Sequence, residues 1–150
     1  MKSSATMTYG MGESLKDRIE HLNVIRDMQD ETGIIRAFIP WSFSPQNTSF
    51  AHMTSSTGMD YLKIVAISRI FLDNITYIQV GWLTEGLNMA QLALQMGAND
   101  MGGILMEEVV VKATGIDTEA SIEDFITLIK NSGKRPVLRD SAYAIVKEYA

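Results

Sequence analysis

The chain has 150 residues, a formal net charge of −5 and no cysteine. This length makes one domain with room for a core, and an acidic balance without a Lys/Arg cluster argues against a nucleic-acid surface. The missing thiols exclude disulfides, thiolate metal sites and cysteine nucleophiles from these residues, and no apolar run reaches membrane-spanning or signal-peptide length, so a cytoplasmic, non-membrane protein is the expectation.

Strand and helix signals alternate from the start. Residues 5–9 (ATMTY) form a short run that reads as a strand. The turn Tyr9-Gly10-Met11-Gly12-Glu13 leads to Ser14, a capping residue with Asp17 three positions on. Leu15, Ile19, Leu22, Ile25 and Met28 then recur at spacings of three and four, the stripe of an amphipathic helix closed by Thr32-Gly33. A second strand is expected at 36–39, followed by the longest connection, 40–57, rich in Ser, Thr, Asn and Pro. Thr57 and Asp60 open a helix over 59–72 whose apolar residues nearly encircle it, which predicts a buried position. Residues 77–82 read as a third strand and 87–96 as a third helix stopped at Gly97, and a fourth strand begins near Ala98. Ser121 and Asp124 open a fourth helix, with Ile122, Phe125, Ile126 and Ile129 on one face and Gly133 at its end. That helix and the remainder, 136–150, read together as a C-terminal helical tail. Three of the four helices open with Ser/Thr-x-x-Asp, which satisfies free N–H groups and suits the helix dipole.

Alternation of this kind implies an α/β fold with parallel strands. Helix-to-strand links are short and strand-to-helix links long, which points to a site at the carboxyl ends of the strands. Four parallel strands are about half of a (β/α)8 barrel, for which about 250 residues is typical. The expectation is therefore a partial TIM-like barrel: about four parallel βα units, the helical tail, and sheet edges left without partners.

Each polar candidate has a functional and a plain reading. Gly10 to Ser14 can cradle a phosphate or carboxylate, or make a tight turn into a capped helix; a dinucleotide fingerprint would need glycine where Leu15 stands. Trp41 and Phe43 can wall a flat ligand, with Asn47 and Thr48 supplying hydrogen bonds, or they can pin a long loop. Trp82 can close the same pocket or belong to the core. Glu85 can bind a hydroxyl or a cation, but reads more readily as a first-turn acid. Asn99-Asp100 and Glu107-Glu108 are the remaining polar pairs, and adjacent residues such as Glu107 and Glu108 do not share one site. His21 and His52 have no metal-ligand spacing and read as surface residues, so no metal site is expected. The ten methionines read as core filler.

Taken as a set, ATMTYGMGE (5–13), DETGIIRAFIPWSF (30–43), PQNT (45–48), the stretches 72–74 and 78–82, and GANDMGGILMEE (97–108) resemble one family. They are similar to the C-terminal half of the radical S-adenosylmethionine enzymes of the futalosine menaquinone pathway, relatives of the deazaflavin (FO) synthase subunits. Pro40-Trp41 and Arg139-Asp140 look most like the dehypoxanthine futalosine cyclases, with the aminofutalosine synthases next. The resemblance implies a (β/α)8-type barrel whose N-terminal half carries a C-x3-C-x2-C loop. That loop holds a [4Fe–4S] cluster that reductively splits S-adenosylmethionine. Hydrogen abstraction from the ribose part of dehypoxanthine futalosine and ring closure follow. The resemblance puts Tyr9, Glu13, Trp41, Asn47, Trp82, Asn99 and Asp100 at the strand mouths, on the substrate or S-adenosylmethionine side, and assigns none of them a catalytic step.

Two departures from the family pattern matter. Many relatives read Tyr-Gly-His where this chain has Tyr9-Gly10-Met11, so an imidazole becomes a thioether with little hydrogen-bonding capacity. The cluster-bearing half is absent from these residues. The expected entity is thus a C-terminal half-barrel, residues 1–150, active only with a separate N-terminal half-barrel. One alternative is a non-catalytic half-barrel that pairs with itself and binds small molecules; another is a small doubly wound domain binding a nucleotide at residues 10–14.

Overall fold

A computed structural model describes residues 2–104 and 119–149, so Glu107 and Glu108 lie outside the described residues. In chain order the elements are β1 (Ser3–Tyr9), α1 (Leu15–Thr32), β2 (Ile35–Ser42), α2 (Gly58–Phe71), β3 (Tyr77–Ile78), α3 (Trp82–Glu85), α4 (Leu87–Gln95), α5 (Ile122–Asn131), β4 (Val137–Arg139) and β5 (Ile145–Glu148). The three capping boxes form as the sequence predicts. Ser14, Thr57 and Ser121 each accept from the backbone N–H three residues on, and Asp17, Asp60 and Asp124 return a carboxylate to the cap's own N–H.

Strands β1, β2 and β3 make a parallel sheet in that order, with Tyr9 beside Ser42 and Phe38 beside Ile78. A fourth parallel segment starts near Ala98, as expected, and among the described residues it pairs through one bridge, between Gln79 and Asp100. Asn99 donates its N–H to Ile78 and Asp100 accepts from Val80. The third strand is shorter than the sequence suggested. The Gly81 N–H goes to the Tyr61 hydroxyl at 2.8 Å instead of a neighbouring strand, and the chain turns into α3 at Trp82.

Side-chain alternation gives the sheet two unlike faces. Met7, Tyr9, Phe38 and Pro40 are buried on one face, in a core shared with Leu22 and Ile25 of α1 and Tyr61, Ile64 and Val65 of α2. Thr6, Thr8 and Trp41 lie on the other face and are exposed. Helix α2 is less enclosed than its apolar pattern implies: Met59 is 60% exposed and Ile70 80%. An all-round apolar helix is buried only if neighbours cover both sides, and here its outer side has none among the described residues.

The C-terminal tail corrects an expectation. Beyond α5 the chain is not helical but a hairpin, with β4 and β5 antiparallel. The cause is local. Asp140 Oδ1 accepts from the N–H groups of Ala142 and Ala144, a side-chain turn that competes with a helix, and Tyr143 takes φ +69°. The flanking Val137, Ile145 and Val146 suit strands. The hairpin docks on the open sheet face at the amino-terminal end of the strands. Tyr143 packs on Tyr77 with centroids 4.4 Å apart, and the Arg139 guanidinium lies 3.6 Å from the Tyr143 ring centre. Arg139 also reaches the buried Asp100, with Nε and Nη2 each 2.8 Å from Oδ2.

Replacing one partner of that pair strands a buried charge. Arg139→Met is expected to lower unfolding stability by about 2–4 kcal/mol in urea denaturation, and Asp100→Asn in the same chain to recover part of it. A loss below about 0.5 kcal/mol would mean that the ion pair does not hold the hairpin.

Candidate functional site

The parallel register brings the carboxyl ends of β1 and β2 together, and the chain after β3 rises beside them. This rim gathers Tyr9, Trp41, Ser42, Trp82 and Glu85. A cleft lined by Asn23, Arg26, Ile70, Phe71 and Asp73 opens between α1 and α2 at the opposite end of the strands, where Asp73 precedes β3.

Tyr9 points to the helical side of the sheet. It is fully buried, with the Arg18 guanidinium 4.9 Å from its ring centre, and its hydroxyl has no hydrogen-bond partner among the described residues. Burial, then the nearby Glu85 and Tyr61, push its phenol well above the ordinary range. Trp41 points the other way, onto the open face. Its indole N–H donates to the Thr8 hydroxyl and 40% of the residue stays exposed. Trp82 is a core residue that meets Phe125 of α5 edge-on at 5.3 Å. Of the two readings of Trp41 and Phe43, the pinned loop is the one seen: Phe43 turns to Phe50 of its own loop at 5.9 Å. Asn47 sits in that loop at φ 58°, a left-handed conformation that asparagine tolerates.

Glu13 settles the reading of the Gly10–Ser14 turn. Its carboxylate accepts from the N–H groups of Gly10 at 2.7 Å and Met11 at 2.8 Å, and from Arg18 Nε at 2.8 Å. The donors that would cradle a phosphate are thus taken by the chain's own side chain, which removes the ground for a nucleotide site here. Gly10 has φ +92°, and a Cβ there would lie 2.4 Å from the Ser56 hydroxyl, so this turn requires glycine.

Asn99 and Asp100 lie deeper than the mouth position the resemblance implied. Asn99 is level with Ile78, hence with Phe38 and Ala5, four residues before Tyr9. At about 3.3 Å per residue this is roughly 13 Å below the rim. Its side chain holds the backbone of Thr76 and Ile78 and the Arg69 guanidinium. Asp100 is committed to Arg139 and to the Gly102 N–H.

Glu85 and Ser42 are what the sequence underplays. Glu85 ends α3, and its Oε1 accepts from the Ser42 N–H at 3.0 Å and from the Ser42 hydroxyl. Burial raises its carboxyl above the usual range, against the pull of both Ser42 donors. No sequence spacing links positions 42 and 85; only the register of β2 and β3 does.

An iron–sulfur cluster needs thiolates. The chain has no cysteine, and among the described residues no three His, Asp or Glu side chains gather as a metal-binding group. These residues do not fit such a cluster, and no step is derived through it.

Burial works to raise the Glu13 carboxyl, but the hydrogen bonds from Gly10, its own N–H, Met11 and Arg18 outweigh it and hold it below the ordinary range. Its contribution to stability is therefore complete above the unfolded value of about 4.3 and lost as pH falls through the lower folded value. Glu13→Gln is expected to cost about 1–2 kcal/mol at pH 7, a cost that shrinks toward zero in denaturation curves taken near pH 3.

Comparison with known proteins bears on the same residues. The family model for the CofH/MqnC C-terminal region matches residues 31–149. A cyclic dehypoxanthine futalosine synthase of Streptomyces coelicolor is 43% identical over 143 residues, covering 95% of this chain and 36% of that protein. The protein of that name in Halalkalibacterium halodurans is 44% identical over 149 residues, covering 99% of this chain and 40% of that protein. An aminodeoxyfutalosine synthase of Streptomyces coelicolor is 35% identical over 162 residues, covering 99% of this chain and 42% of that protein. The chain thus spans about two-fifths of the length of these relatives. With the family model matching most of its residues, the chain belongs to the CofH/MqnC C-terminal family.

Proposed function

We propose that the chain is the substrate-side, C-terminal half-barrel, residues 1–150, of a radical S-adenosylmethionine cyclase that converts dehypoxanthine futalosine to its cyclic form in menaquinone biosynthesis. The observation that carries this reading is the 43–44% identity to two cyclic dehypoxanthine futalosine synthases across nearly the whole chain. The open sheet agrees with it. Among the described residues helices pack against one face of three parallel strands, and Thr6, Thr8 and Trp41 are exposed on the other, which suits a barrel wall whose remaining strands come from another stretch of polypeptide. In this reading S-adenosylmethionine and the [4Fe–4S] cluster are held by that stretch, which supplies the thiolates this chain lacks. Trp41 and Thr8 on the open face form the substrate side, with Tyr9 and Trp82 packed behind them, and the assembled enzyme works in the cytoplasm.

The test is co-expression with a C-x3-C-x2-C-bearing half-barrel from the same family. The two chains are expected to co-purify, to show cluster absorbance near ~400 nm, and to yield 5′-deoxyadenosine and the cyclic product from dehypoxanthine futalosine, while this chain alone yields neither. A pair that co-purifies with its cluster but forms no cyclic product would overturn the substrate assignment. A stable homodimer by light scattering, with no uptake of the other half, would favour self-association.

A further inference from the structure

β1 is the outer strand of the parallel sheet, and its free edge carries few of the usual guards. The Ser3 N–H donates to Ile34 and the Tyr9 carbonyl accepts from Phe43, so the odd-numbered residues turn their backbone groups to β2. By alternation Ser4, Thr6 and Thr8 turn theirs to the free side. Those three residues are exposed, and from Ser3 to Tyr9 the strand has no charged side chain and no proline. One side chain does meet this edge. His21 of α1 places its Nε2 3.1 Å from the Thr6 carbonyl oxygen, and since a carbonyl only accepts, Nε2 carries the proton.

Helix α1 continues the same flank. Asn23, Arg26 and Asp30 look toward α2 and the turn after it, where Arg26 meets Asp73 and Asp30 meets Asn74. Asp17, His21, Val24, Met28 and Glu31 recur at spacings of four and three on the opposite side of the helix. Val24 is 61% exposed and Met28 46%. Strand edge and apolar helix flank together have the shape that one more βα unit covers, its strand parallel to β1 and its helix over Val24 and Met28.

A second copy fits this surface less well. The α1 stripe is acidic at both ends, so packing it antiparallel on its own copy sets Asp17 against Glu31. The relatives point to the other occupant. They match almost the whole of this chain with about two-fifths of their own length, and so have further polypeptide to supply a strand and a helix here.

We infer that the free edge of β1 and the flank of α1 at Val24 and Met28 take a parallel strand and helix from the cluster-bearing half-barrel, and that His21 is a latch on this edge, released from Thr6 when the strand pairs. This rests on the reading that such a half completes the enzyme. The His21 bond satisfies the Thr6 carbonyl while the edge faces water and is given up for the ladder, so it holds pairing in check without preventing it. The incoming unit is uncharged along its strand and basic at the ends of its helix, to meet Asp17 and Glu31.

The experiment co-expresses this chain with a C-x3-C-x2-C-bearing half-barrel of the family. It measures the affinity of the pair by sedimentation, the melting of this chain alone, and hydrogen exchange over residues 4–8. In the wild-type pair that exchange is expected to slow at least about tenfold. Thr6→Pro removes an N–H that faces the free side, so it keeps the bonds to β2 and is expected to weaken pairing at least about tenfold. The double variant Val24→Glu, Met28→Glu alters exposed side chains. It is expected to weaken pairing by about the same factor without lowering the melting temperature of this chain. His21→Ala is expected to tighten pairing about two- to tenfold. Pairing unchanged in both Thr6→Pro and the double variant, or residues 4–8 left unprotected in a formed pair, would overturn the docking site and leave the proposed reaction standing. Pairing unchanged or weakened in His21→Ala would sink the latch. A wild-type homodimer that Thr6→Pro dissociates would hand the edge to a second copy and refute the occupant named here. Absence of any pairing would refute this inference together with the half-barrel reading, whereas a pair docked in this way that yields no cyclic product would overturn the proposed reaction alone.

Discussion

The parallel register that sets Tyr9 beside Ser42 is the constraint on which the rim depends. A slip of one residue in β1 would turn Met7 and Tyr9 out to the open face and carry Thr6 and Thr8 under the helices. Each large apolar side chain moved into water costs about 1.5–3 kcal/mol, and Met7, Tyr9 and Phe38 all share the helical face. Several such terms act at once, so the pairing has one strongly favoured alignment. The same alignment puts the Ser42 N–H and hydroxyl at the height where α3 delivers Glu85. A packing force on one face of the sheet thereby fixes a polar contact at its end.

The other face is governed by different forces. Its lower half is covered by the C-terminal hairpin, where Tyr143 packs against Tyr77 and the guanidinium groups of Arg36 and Arg139, and Arg139 neutralises Asp100. That contact lets a carboxylate sit deep against a sheet without an unpaired charge. The upper half keeps Thr8 and Trp41, joined by one hydrogen bond and still partly in water. The hairpin does not reach that half of the face, where the Thr8 hydroxyl and the Trp41 indole meet.

What the sequence made legible is what local physics decides. Ser14, Thr57 and Ser121 could be placed as caps because a capping box closes within four residues and needs no tertiary partner. Helix stripes and the strand near residue 37 followed from short-range periodicity. The tail was misjudged because Asp140 acts through a turn spanning Ala142 and Ala144, a side-chain bond that leaves little periodic signal. Asn99 and Asp100 were assigned to the mouth because a sequence states which strand a residue joins, not how deep it sits; depth comes from Asn99 meeting Ile78. Glu85 looked like an ordinary first-turn acid for the same reason. Its meaning lies in Ser42, forty-three residues away in the chain.

Glu13 and Glu85 make the general point about reading acids in such a site. They are the same side chain near the same rim. One is ringed by two backbone N–H groups and a guanidinium, so its carboxyl titrates low and its oxygens are occupied. The other accepts from Ser42 alone among the described residues, and burial raises its carboxyl. Donor supply decides both properties together: the donors that stabilise a carboxylate also block it from a ligand. A fold that needs an acid for its own turn saturates it. An acid that the fold leaves short of donors weakens the native state while it remains charged, and a ligand that donates to it recovers that loss on binding. Glu13 has no such capacity left, while among the described residues Ser42 fills only one oxygen of Glu85.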